Sequence, residues 1–358
     1  MSTKSKAKNA YYFFMRDWRA EQNTPHRSFE EIAADPRCNE EWKNLPSIRR
    51  DQYEALAKEN KILCQRSLSK NSASRKNLRE IEEQEKREEE FRHNMLQYVS
   101  SVVSMGLKHD NLETLKFLFI HVNWFYIKSI GMNKYEYGPA EFAVAEFSLK
   151  NGIQNVYHEI LNITIPLGWM REAIETSKET HQIPVNFSEG ESDFCLMYTK
   201  LVKLLESYKT ENKFPPLFTV ESTTNAVNSL LLMMTEAANR SIDEFQVYSL
   251  ETLFAELRNV IVRKTEGQSI PLVIAEIEFG KDIFNFTPGA GCYFHKLLDN
   301  GSQYCSKSVV TRWGYTICDY CCIHMNIDMV EGVHYPNSRV DHQQWNDNGI
   351  DEVSARME

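Results

Sequence analysis

Leu115-Lys-Phe-Leu-Phe-Ile-His-Val-Asn-Trp-Phe-Tyr126 decides the fold of the larger part of this chain. Its aromatic and β-branched side chains suit a pleated, half-buried surface, so the run predicts a long strand. Phe142-Ala-Val-Ala-Glu-Phe147 is a second such run, nearly alternating. After a break at Gly152, a third strand is expected from Val156 to Ile165, which makes a hairpin or meander. Downstream the pattern turns helical, over Phe194–Ser207, Thr224–Ala238, Ile242–Lys264 and Ser306–Met325. A short strand, Phe218-Thr-Val220, follows the Pro215-Pro216 breaker. Strands first, then alternation of strand and helix, predict a mixed α/β sheet with helices on its faces.

Upstream the composition changes. From Arg75 to Arg92, 13 of 18 residues are charged. Such a stretch cannot bury a core, so a solvated helix or a disordered spacer is expected there. Before it, three helices are predicted. Ala10 to Gln22 carries Tyr11, Phe14 and Trp18 at helical spacing. Ser28-Phe-Glu-Glu31 is a capping box that opens a second helix towards Trp42. Pro36 inside that helix predicts a break or kink. Pro46 suits the first turn of a third helix, running through Tyr53, Leu56 and Ala57 to about Leu68.

Asn9-Ala-Tyr-Tyr-Phe-Phe14, Trp18, Trp42, Lys43, Leu45, Tyr53, Ala57 and Lys61 together resemble the HMG-box pattern, although Ala7-Lys8 stand where that pattern has Pro. HMG boxes push an apolar wedge between base steps and bend the duplex. By motif position the resemblance puts Tyr12 at the wedge and Asn9 at a base-edge contact, with Lys6, Lys8, Arg16 and Arg19 as phosphate contacts.

Hydrophobic residues make up 42% of the 358 residues and charged residues 25%, ordinary for a globular protein of two domains. No apolar run reaches the roughly 18 residues that span a bilayer, so no membrane association is expected. Eight cysteines in a chain of this length suggest a reducing compartment, cytosolic or nuclear, where clustered Cys and His serve as metal ligands or core. The net charge of −9 is uneven. The first 70 residues carry 14 Lys and Arg against 10 Asp and Glu, leaving −13 for the other 288. So small a positive excess argues against strong sequence-specific DNA binding and favours bent, junction or structured nucleic acid.

The strongest chemical constellation is Cys292-Tyr-Phe-His295 followed by Cys305. Zn²⁺ takes thiolate sulfur, imidazole nitrogen and carboxylate oxygen, usually four in a tetrahedron. No fourth donor lies nearby, and three core residues would show the same spacing. Cys318, Cys321 and Cys322 fall in an amphipathic helix and Cys195 in the apolar run Phe194-Cys-Leu-Met197; all four are expected in the core.

Pro139-Ala-Glu141-Phe, Phe147-Ser-Leu-Lys-Asn-Gly-Ile153, Tyr157-His158, His181-Gln-Ile-Pro184, Cys292-x-x-His295, Cys305 and His334-Tyr-Pro336 resemble the Maelstrom domain, over about Leu96 to Pro336. That family's ordered Glu-His-His-Cys-His-Cys set falls on Glu141, His158, His181, Cys292, His295 and Cys305. The resemblance implies an all-α three-helix HMG-like box (1–70), a charged linker (71–92), an α/β RNase H-like domain (93–336) and a polar tail (337–358). Within the set, Glu141, Cys292, His295 and Cys305 are expected to hold a structural Zn²⁺, with His158 and His181 beside it as hydrogen-bonding or packing residues. Glu146 is the alternative carboxylate, on the opposite strand face. Related proofreading exonucleases use four carboxylates for two metal ions. Here Glu141 stands at the first-strand position but Ala143 follows in place of a second acid, so that mechanism is not expected.

The resemblance further implies a germline piRNA-pathway factor that represses transposable elements, present in perinuclear granules and in nuclei. Its partners would be single-stranded RNA, structured DNA or RNA at the box, and small-RNA pathway proteins. Two roles stand for the second domain: a single-strand-specific endoribonuclease with no assignable catalytic residue, or an inactive RNA- or protein-binding scaffold. A mainly chromatin-bound HMG-type protein is the third reading.

Overall fold

The structure is a computed structural model and describes residues 8–22, 27–67, 73–131, 134–210, 213–263, 267–287 and 289–337. Lys6 and the expected tail from 338 onward lie outside these residues. The chain divides into two compact units, Met1–Asn94 and Met95–Glu358.

The first unit is helical. Helix α1 (Ala10–Glu21) is capped by the Asn9 side chain, which accepts the Tyr12 N–H. Helix α2 (Phe29–Ala33) opens on the expected capping box, with both reciprocal hydrogen bonds of Ser28 and Glu31 present. It stops before Pro36, and Asp35 caps a separate helix α3 (Pro36–Lys43). The second helix is therefore two, because Pro36 tolerates only a first-turn position. Helix α4 (Ser47–Ser67) follows, and the unit's core is Phe14, Met15, Trp18, Ile32 and Cys38, flanked by Tyr11, Trp42 and Tyr53. Helix α5 (Ala73–Lys108) contains the charged stretch, exposed from residue 82 to 94. The boundary between the units falls inside it.

In the second unit, strands β1 (Phe117–Gly131), β2 (Lys134–Ser148) and β3 (Gly152–Ile160) form an antiparallel meander. Helices α6 (Met170–Glu179) and α7 (Phe194–Glu206) come next, then β4 (Leu217–Thr219), α8 (Thr224–Ala237) and β5 (Val247–Ser249). Helices α9 (Leu250–Arg263), α10 (Leu272–Lys281) and α11 (Ser306–Cys321) complete it. The sheet order is β3-β2-β1-β4-β5, with β4 and β5 parallel to β1. This is the mixed sheet with flanking helices that the pattern predicts.

Three expectations change. The third strand starts at Gly152 and ends at Ile160 rather than running from Val156 to Ile165. The helix expected from Ile242 begins only at Leu250, because Val247-Tyr-Ser pairs with β4 as β5. Cys195 is exposed on α7, whereas Cys318, Cys321 and Cys322 are buried as expected.

The period of two sorts the sheet into two faces. Leu118, Ile120, Val122, Phe142 and Val144 pack with residues of α7 and α8. Phe117, Phe119, Ala143, Ala145 and Phe147 pack with α5, α9, α10 and α11. Helix α11 comes close to this second face at Gly314, where a Cβ would stand 2.7 Å from Ile153 Cγ1.

Candidate functional site

Strand register aligns polar residues on the α11 face. Asn123 on β1 pairs with Glu141 on β2, and Ala143 pairs with His121 on one side and His158 on the other. His121, Asn123, Glu141 and His158 therefore share one face. Glu141 lies on the second strand, not the first as expected, and the facing positions of β1 hold His121 and Asn123, neither an acid. Glu146 points to the opposite face, as expected, paired with Lys116 at 2.9 Å and accepting hydrogen bonds from Asn155 and Tyr208.

The Glu141 carboxylate is fully buried. Its Oε1 accepts from Asn123 Nδ2 at 2.7 Å and from the Ser306 N–H at 2.9 Å, and its Oε2 is 2.7 Å from His158 Nε2. Burial alone would raise its pKa, but His158, His295 and the Ser306 N–H hold it below the ordinary carboxylate value.

Cys305 caps α11, so the helix axis carries this thiol to the sheet. Cys292 and His295 sit one turn apart in the preceding loop, and the Cys292 N–H donates to Cys305 Sγ at 3.2 Å. Ligand atoms of Glu141, His158, Cys292 and Cys305 all lie within 4.8 Å of one another. His295 Nδ1 is 3.2 Å from Cys292 Sγ and 3.8 Å from Glu141 Oε2. Its Nε2–H donates to the His181 carbonyl at 2.7 Å, which leaves the Nδ1 lone pair facing the cluster. Cys305, His158 and His295 lower the Cys292 thiol against the cost of its burial, whereas burial and Cys292 push Cys305 up. His158 is pushed up to about 9: burial opposes charging, but Cys292 and Glu141 outweigh it. With no cation, this pocket cannot carry a carboxylate and two thiolates at once, because buried like charges suppress one another's ionisation.

His181 is different. Its Nδ1 accepts the Ile183 N–H at 3.1 Å and its Nε2 donates to the Trp124 carbonyl at 3.2 Å, so neither nitrogen is free. Burial lowers its pKa to about 4 and keeps it neutral. Asn123, Ser306 and His121, whose Nδ1 is 2.9 Å from Ser306 Oγ, were not singled out in the sequence. Their signal there is faint: two polar side chains, two apart, inside the long β-run.

In the box, Tyr12 is half-buried and stacks on Phe29 with ring centres 4.6 Å apart. The Lys8 ammonium lies 4.3 Å from the Tyr12 ring centre, and the Arg19 guanidinium 4.6 Å from that of Phe29. Arg16 pairs with Asp17 at 2.9 Å. Asn9 Oδ1 accepts the Tyr12 N–H as the α1 cap.

A helical box followed by a mixed α/β unit with one buried Glu-His-Cys-Cys cluster among the described residues defines a two-unit protein of HMG-box type. A family model described as a piRNA pathway germ-plasm component, Maelstrom, matches residues 131–340, and an HMG-box domain model matches residues 2–72. The chain belongs to the Maelstrom family. It is 26% identical to "Protein maelstrom homolog" of Culex quinquefasciatus over 94% of its own length and 66% of that relative's. It is 26% identical to "Protein maelstrom 1" of Drosophila ananassae over 92% of its length and 80% of the relative's. Identity to "Protein maelstrom" of Drosophila melanogaster is also 26%, over 92% and 72%. The chain thus spans just under two thirds of the mosquito relative. No helix among the described residues is long and apolar enough to cross a membrane.

Proposed function

We propose that this chain is a germline piRNA-pathway factor that represses transposable elements, acting in perinuclear granules and nuclei with small-RNA pathway proteins. Its second unit binds single-stranded RNA on a domain stabilised by one Zn²⁺, and its box contacts bent or structured nucleic acid. Family membership supports the pathway. The observation that carries the site is the buried cluster itself, since one carboxylate, imidazole and two thiols suit Zn²⁺ and not Mg²⁺.

The proposed ligands are Glu141, Cys292, His295 and Cys305. Zinc bonds of about 2.0 Å to N or O and 2.3 Å to S imply tetrahedral edges of roughly 3.3–3.8 Å. The close cluster itself contains His158, which also contacts Cys292, and not His295. The contacts of His295 at 3.2 and 3.8 Å nonetheless fall near those edges, whereas His158 at 2.7 Å from Glu141 is at hydrogen-bond distance. The His295 Nε2–H bond to a backbone carbonyl is also the usual support of a metal-binding imidazole.

Four protein donors leave no open position for water, so the ion would stabilise the fold rather than attack phosphate. Any endonucleolytic cleavage would then use other groups, and the facing β1 positions His121 and Asn123 offer no carboxylate pair for two Mg²⁺ ions. The test is elemental analysis of the full chain purified without chelator, followed by incubation with labelled single-stranded RNA with and without Mg²⁺. One zinc per chain and RNA binding without a 3′-end ladder are expected. Zinc-free protein, or mononucleotide products that require Mg²⁺, overturns the reading.

A further inference from the structure

Cys305 reaches the cluster at the end of an arm, residues 299–304, that has little structure of its own. Asn300 is in the left-handed region at φ 57°, and Gly301–Gln303 make a single 3₁₀ turn. Two successive carbonyls of this arm, Ser302 and Gln303, are satisfied by one side chain. The Arg312 guanidinium donates from Nη1 to Ser302 O at 2.9 Å and from Nη2 to Gln303 O at 2.7 Å. It also bonds Ser308 Oγ at 2.6 Å, and its Nε contacts both Asp282 oxygens at 3.0 and 2.9 Å. Arg312 is almost fully buried, and Asp282, left-handed at φ 40° after α10, supplies its counter-charge. The next carbonyl of the arm, Tyr304, accepts from Asn123 Nδ2, the amide that also holds Glu141.

We propose that Arg312 is a positioning residue for the metal centre: its guanidinium fork holds the 299–304 arm so that Cys305 meets Glu141 and Cys292 in binding geometry. Arg312 touches none of the donor atoms. It lies two turns along α11 from Cys305, so its side chain fixes the arm against the helix that Cys305 caps. Only a planar guanidinium can serve two adjacent carbonyls, a hydroxyl and a carboxylate together; an ammonium keeps the charge and loses the fork. The inference rests on the zinc reading above.

The experiment uses the full chain. Zinc content of the wild type is measured first, then the rate of zinc transfer to 4-(2-pyridylazo)resorcinol for wild type, Arg312→Lys, Ser308→Ala and Glu146→Gln, with melting curves of each. Glu146 serves as control because it is buried in a polar network on the opposite face of the sheet. Arg312→Lys should release zinc about 10- to 100-fold faster, the usual cost of losing support behind a ligand. Ser308→Ala, a milder change that keeps Arg312, should accelerate release by less. Glu146→Gln should melt lower while releasing zinc at close to the wild-type rate. Wild-type release from Arg312→Lys and Ser308→Ala overturns this inference and leaves the zinc reading standing. Equal acceleration by Glu146→Gln at a matched loss of melting temperature overturns it too, since release would then track global stability. A wild type without zinc overturns both. If Arg312→Lys does not fold, the Ser308→Ala and Glu146→Gln rates decide by the same criteria.

Discussion

The helix caps of the box and the buried carboxylate of the sheet unit satisfy polar groups over different distances along the chain. In the box, Asn9 caps the helix that starts beside it, Ser28 bonds Glu31, and Asp35 bonds Arg27 and Arg37. Every one of these partners lies within eight residues. In the sheet unit, the Glu141 carboxylate is served by Asn123, His158 and Ser306, the last 165 residues away. Local caps stabilise an element wherever it sits. A buried site built at long range exists only once the register and the docking of α11 are correct, and so it reports on the whole unit.

The largest expected effect separates the two regions directly. Cys305→Ser removes a ligand and, on the zinc reading, should lower the melting transition of the sheet unit by on the order of 10 °C or more, because a structural ion contributes folding free energy. The box transition should stay in place. Calorimetry of the full chain checks this, and a joint shift of both transitions would break the contrast between the two units.

The reverse experiment is Trp18→Ala. Trp18 is 1% exposed, with its Nε1–H on Glu41 at 2.9 Å, so its loss should cost about 3–5 kcal/mol. That is enough to unfold a small helical unit, and zinc content should not change. Loss of zinc in this variant would show that the sheet unit depends on the box.

The smallest effect concerns pH. The hydrogen bond from Arg27, with those from Arg37, holds the Asp35 carboxyl at about 2 against the burial that opposes it. A depressed folded-state pKa stabilises above the unfolded value near 3.8 and is lost as pH falls through about 2. Arg27→Gln should therefore melt a few degrees below wild type at pH 6, and the gap should close between about pH 4 and 2. A gap independent of pH would mean that Arg27 acts through packing alone.

The box was legible almost residue by residue. The capping box at Ser28 and Glu31, the break at Pro36 and the helical spacing of Tyr11, Phe14 and Trp18 all follow from rules that act within a few residues. In the sheet unit the long runs were legible as β1 and β2, but β5 was not, since three residues after a 3₁₀ turn become a strand only by pairing with β4. Cys292-x-x-His295 and the Cys305 that follows were visible by spacing, and Glu141 and His158 entered through the family resemblance. Asn123, His121 and Arg312 were not visible, because a polar residue within an apolar strand or helix carries no mark of what it will face.

The sequence by itself determined the helices and their caps, the β-runs, the charged stretch and the kinds of donor atom available. Propensity, capping and periodicity depend on neighbours a few positions away, so those features can be read along the chain. Only the tertiary structure decided that His181 spends both ring nitrogens on backbone while His295 keeps one for the cluster, and that the Arg312 guanidinium bonds the arm of Cys305. These are matters of ångströms between residues up to 165 apart, and strand register and helix docking set them.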